Sequence, residues 1–94
     1  MKIEFNFKWI GERCDAGEVQ RRVEQILNQY FNDVVDYKIV STTCMSFWLV
    51  IIIDFPSQIT LNDKFIAILD AIAGAIVYVL GGNVRYRHFE IIGR

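Results

Sequence analysis

Met45-Ser46-Phe47-Trp48-Leu49-Val50-Ile51-Ile52-Ile53-Asp54-Phe55 decides the fold. Its β-branched and aromatic residues suit a pleated strand better than a helix. Met45, Phe47, Leu49, Ile51 and Ile53 alternate onto one face, and Trp48, Val50 and Ile52 onto the other. A strand that is apolar on both sides wants a cover on both sides. The stretch therefore predicts a strand over 45–55 that lies within a sheet, and Pro56-Ser57 stops it.

Downstream, Thr60 is a candidate N-cap, with Asp63 in the capping-box position. Phe65, Leu69, Ile72, Ala73, Ile76, Val79 and Leu80 then recur at helical spacing, so a helix is predicted to about Leu80, ended by the left-handed turn of Gly81-Gly82. Asn83 to Ile92 reads as a strand whose inward face is contested. Val84, Tyr86 and His88 have one parity and Phe89 and Ile91 the other, so a bulge is expected to switch them.

Upstream, Ser41-Thr42-Thr43 is the expected hairpin turn and Val34 to Thr42 the expected partner strand. Asn32-Asp33 separates that strand from a helix whose N-cap is Asp15, with Glu18 three residues on. Val19, Val23, Ile26, Leu27, Tyr30 and Phe31 form its apolar stripe, and Arg21, Arg22, Glu24, Gln25, Asn28 and Gln29 its solvent side. From Lys2 to Ile10, Ile3, Phe5, Phe7 and Trp9 alternate with polar residues: a half-buried strand that ends at Gly11.

The order β-α-β-β-α-β is the ferredoxin-like split βαβ pattern. It predicts one α+β domain over residues 1–94, a two-layer sandwich with two helices on one face of a four-stranded antiparallel sheet. Right-handed crossovers place the first and third strands in the centre.

Ten Lys and Arg against eleven Asp and Glu give a net charge of −1, which is neither the basic excess of a dedicated DNA binder nor the acidic excess of a mimic. Cys14 and Cys44 form no C-x-x-C pair, so both thiols are expected free in a reducing, cytoplasmic setting. Met1 to Phe5 lacks the features of a signal peptide. Phe65–Leu80 is too short to span a bilayer and carries Asp70, so no membrane association is expected.

Chemistry is sparse, and a non-enzymatic role is read ahead of an enzymatic one. His88 is the only histidine, and the proposed order does not bring it to Cys14, so no catalytic residue is assigned. One His and two distant Cys cannot close a zinc site, and no metal is expected. Gly81-Gly82-Asn83 follows a helix where a phosphate loop precedes one, so no cofactor is expected. The same element order builds the RRM, but Thr43–Val50 lacks the basic residue and glycines of its third-strand motif.

What remains is apolar surface. Hydrophobic residues make up 53% of the chain, more than a small domain readily buries. Two surfaces are candidates for contact: Trp48, Val50 and Ile52 on the second face of the third strand, and Ala71, Gly74, Ala75 and Tyr78 on the second helix, where small residues replace the usual charges. The expected function is a protein-interaction or regulatory module that forms a homo-oligomer, a dimer at its simplest, and binds another protein. The alternative is nucleic-acid binding through Arg85, Tyr86, Arg87 and His88, basic and aromatic residues interleaved on an edge strand and joined by Trp48 and Lys8 as a stacking platform.

Overall fold

A computed structural model describes residues 1–11, 14–31, 37–56, 59–81 and 83–93. The elements are β1 (Lys2–Trp9), α1 (Ala16–Tyr30), β2 (Lys38–Met45), β3 (Trp48–Asp54), α2 (Asp63–Val79) and β4 (Val84–Gly93). The four strands make one antiparallel sheet in the order β2-β3-β1-β4. The expected break at 32–33, the strand start at 34–36, and residues 57 and 82 lie outside the described residues.

One face of the sheet carries the core. Ile3, Phe5 and Phe7 of β1 lie directly opposite Ile53, Ile51 and Leu49 of β3, and these residues and Trp9 are all buried. Val19, Val23 and Leu27 of α1 join them with Phe65, Ile68, Leu69, Ile72, Ala73 and Ile76 of α2. Tyr30, placed by spacing in the apolar stripe of α1, stands exposed at the helix end. Among the described residues no polar or charged side chain is buried.

The helix starts show how local chemistry sets the boundaries. Asp15 caps α1, accepting from the Gly17 and Glu18 amides at 2.8 and 3.4 Å. Glu18 turns its carboxylate to Arg21 and Arg22. For α2 the cap is Asn62 and not Thr60: its side chain accepts from the Phe65 amide at 2.9 Å, which makes Asp63 the first helical residue. Asn is at least as good a cap as Thr, and capping there seats Phe65 in the core within the first turn.

Two expectations about the strands are corrected and a third is settled. Ser41-Thr42-Thr43 is not a turn, because these residues pair with Ile52, Ile51 and Val50 inside β2. The turn is Ser46-Phe47, with φ of 43° and 65°, so β3 begins at Trp48. Met45 therefore belongs to β2 and Phe47 to the turn, and neither lies on the core face of β3. Two contacts hold Phe47 there: the Trp9 amide donates to its carbonyl at 3.2 Å, and its ring meets the Trp9 ring edge-on at 5.8 Å. In β4, a register shift between Lys8 and Trp9 aligns Tyr86 with Lys8 and Val84 with Trp9. That irregularity puts Val84 on the helix-covered side with Phe89 and Ile91 and leaves Tyr86 and His88 on the other, which settles the contested parity.

The cysteines are a further correction. They are not free thiols: Cys14 and Cys44 form a disulfide, with Cα atoms 6.7 Å apart. Thirty residues of separation say little about distance once α1 packs beside β2, which sets Cys14, just before the helix cap, against the core-facing Cys44. The thiol argument for a reducing compartment falls with it. No helix among the described residues is long and apolar enough to cross a membrane.

Candidate interaction surface

The uncovered face of the sheet is built from the residues of opposite parity. The register sets them in rows across the strands. Nearest the β2–β3 turn lie Met45, Trp48, Lys8 and Tyr86, and the next row holds Thr43, Val50, Asn6 and His88. A third has Ser41, Ile52, Glu4 and Glu90. Trp48 and Tyr86 are 43% and 45% exposed, whereas Val50 and Ile52 are half-buried between their neighbours. Part of the apolar second face of β3 is thus shielded by the twisted sheet itself.

The first row is an ordered cluster. The Lys8 ammonium lies 5.3 Å from the Trp48 ring centroid and 5.8 Å from that of Tyr86. Trp48 Nε1 donates to Asn6 Oδ1 at 2.6 Å, which fixes the indole on the surface. The Tyr86 and His88 rings stand 6.1 Å apart. A cation between two aromatic faces gains about 0.5–1 kcal/mol at exposed sites. The two rows together hold no carboxylate, while Glu4 and Glu90 face each other in the third.

The other sequence candidates separate. Arg87 aligns with Phe7 and so sits on the helix side of β4, away from Tyr86 and His88, and Arg85 falls at the register shift without a direct partner. The basic-aromatic strip is therefore divided between two faces. On α2, Ala71 and Ala75 are half-buried. Gly74 faces open space, with nothing within 4 Å of where a Cβ would sit. Tyr78, 77% exposed, meets only the Arg22 guanidinium among these cation–ring contacts, at 5.9 Å. The small-residue face is thus shared with α1 along one side and open along the other.

Met45 was missed as a surface residue because its parity was counted from a strand that begins three residues later. Among the described residues no group of three or more His, Cys, Asp or Glu side chains is placed to hold a metal ion. Cys14, tied to Cys44, offers no thiolate. Fold and surface define an antiparallel α+β sandwich with one open, aromatic-bearing sheet face. No protein-family model, curated protein or solved structure matches the chain.

Proposed function

We propose that this chain is a non-enzymatic protein-interaction module of the ferredoxin-like class, which associates with itself and docks a further protein through the open face of its sheet. The observation that carries the reading is the exposed cluster of Met45, Trp48 and Tyr86 around Lys8. Trp, Tyr and Met are the residues enriched in the cores of interfaces, and Trp and Tyr recur as anchors whose truncation costs more than ~2 kcal/mol. The test is light scattering at about 50 µM, where affinities of biological homodimers are well populated. Wild type should exceed monomer mass, Trp48→Glu should return it to monomer, and Ala71→Glu on α2 should not. A wild type that is monomeric throughout sinks the self-association, and monomerisation by Ala71→Glu alone moves the contact to α2.

A second reading rests on the same cluster. Trp48 and Tyr86 offer ring faces beside a cation, which is how proteins hold unpaired bases. It gains nothing from Arg87, which points to the other layer. Retention on single-stranded RNA or DNA at physiological salt, lost in Lys8→Glu, would favour it over the first.

A further inference from the structure

Charge on the open face is sorted by row. Lys8 is the one charged residue of the first row, and the second row has no Lys, Arg, Asp or Glu. Glu4 and Glu90 stand side by side in the third. Four residues of strand put Lys8 about 13 Å from Glu4, beyond the ~8 Å Debye length of physiological salt, so one copy does not neutralise its own two ends. Among the described residues neither Lys8 nor Glu4 enters an ion pair, and Glu90 has only the His88 imidazole, 3.9 Å away. Lys38, Asp54 and Lys2 form the row beyond and fall outside an overlap of these three rows.

A homodimer that buries this face joins identical patches across a two-fold axis, and aligned sheet packing leaves two directions for that axis, along the strands or across them. An axis along the strands lays each row over itself. It sets Glu4 and Glu90 against the same pair of the second copy, four carboxylates together, and leaves Lys8 without a counter-charge. An axis across the strands, through the second row, turns the second copy end for end and lays the first row over the third. Lys8 then meets Glu4 of the second copy, Tyr86 its Glu90 and Trp48 its Ile52, with Val50 over Val50 at the centre. We propose that two copies pack in this end-for-end arrangement, which rests on self-association through the open face, and that Lys8 of each copy pairs with Glu4 and Glu90 of the other. Stacked sheets lie about 10 Å apart, a gap that a lysine and a glutamate side chain span together. Symmetry makes every contact twice.

Sedimentation equilibrium compares wild type, Lys8→Glu, and the triple variant Lys8→Glu, Glu4→Lys, Glu90→Lys. Lys8→Glu crowds three carboxylates at each end and should raise the dimer Kd at least about tenfold, because like charges brought together cost more than an exposed pair gains. The triple variant exchanges the charges and should return Kd to within about threefold of wild type. It retains the change at position 8, so its recovery separates charge pairing from damage to the aromatic cluster. Energy transfer between donor-labelled wild type and acceptor-labelled triple variant then reads the axis. End-for-end packing sets Lys8 of wild type against two introduced lysines, so the mixed dimer should be at least about tenfold weaker than either like pair. Row-on-row packing would instead make the mixed dimer the favoured species. All three side chains lie on the open face, and unchanged circular dichroism checks that the variants fold. With a dimeric wild type that Trp48→Glu dissolves, an unaffected Lys8→Glu, a triple variant as weak as the single one, or free mixing would each overturn the arrangement and leave the open face as the contact. A monomeric wild type overturns both.

Discussion

Ser46 and Phe47 carry the β2–β3 turn in the left-handed region, where a side chain costs about 1–2 kcal/mol relative to glycine. Hairpin turns of this geometry usually advertise themselves with Asn-Gly, and their absence here is why a Ser-Thr cluster five residues earlier reads as the turn. The conformation is held by tertiary contacts of Phe47 with Trp9, a pairing of residues far apart in the chain that no local pattern announces. Ser46 has no such anchor among the hydrogen bonds and ring contacts described. Ser46→Asn, which tolerates positive φ, should therefore stabilise the protein by about 0.5 kcal/mol, read as a higher denaturant midpoint at constant slope. The exposed Glu18 gives a second residue-scale expectation. Its bonds to Arg21 hold its pKa below the usual glutamate value. A carboxylate whose folded pKa is depressed contributes stability above the unfolded pKa and loses it as pH falls through the folded one. Glu18→Gln should accordingly flatten the stability profile between about pH 5 and 3 and leave its shape at pH 7 to 8 unchanged.

At the scale of elements, the two helices and the β1 and β3 strands were legible because periodicity reports burial, and burial decides these segments. Asp15 before Val19 and the alternation of Ile3, Phe5, Phe7 and Trp9 left little freedom. Edge strands are less readable: β2 and β4 each contain a register irregularity, at Ile39–Ser41 and opposite Lys8–Trp9, and one extra residue exchanges the faces of everything beyond it. The disulfide was hidden for the related reason that it joins an edge strand to a helix start. Cys14→Ser with Cys44→Ser opens a loop with a sequence separation of 30, which chain entropy values at about 3.6 kcal/mol. The core does not depend on it, so the double variant should stay folded with a lower melting temperature, and loss of the circular dichroism signal at 25 °C would show the staple to be essential. Gly74 discriminates between uses of α2. In a helix with open space at its Cβ position, Gly74→Ala should add about 0.8–1 kcal/mol. If two helices instead met backbone to backbone at this point, the added methyl would weaken association, and a dilution series would reveal it.

For the whole molecule, the radius of gyration of 12.6 Å is close to the ~12.4 Å expected of a compact chain of this length, so the apolar excess has no larger interior to occupy. Much of it is spread singly, as at Ile10, Leu61 and Ile66, where exposed apolar residues need no partner. The cluster on the open face differs in being contiguous. A four-stranded sheet is about 20 Å wide, so this face is of the order that a small specific interface covers. Charge then separates the two readings of it. Self-association through Trp48, Met45 and Tyr86 buries mainly apolar surface around the single cation Lys8, with Glu4 and Glu90 at its margin, and rim charges alter affinity little. Phosphate binding would release counterions, with a slope of about −0.7 per neutralised phosphate in log affinity against log salt for a single strand. Between about 50 and 500 mM salt, the dimer dissociation constant from sedimentation equilibrium should therefore change less than about tenfold. Over the same range an oligonucleotide should show no saturable binding. The net charge of −1 works against a polyanion, and the one lysine in the cluster supplies a single phosphate contact at most. Tight oligonucleotide binding with a slope steeper than about −2 would require at least three cations to converge, and would mean that Arg85 and His88 turn towards Lys8 when the strand binds.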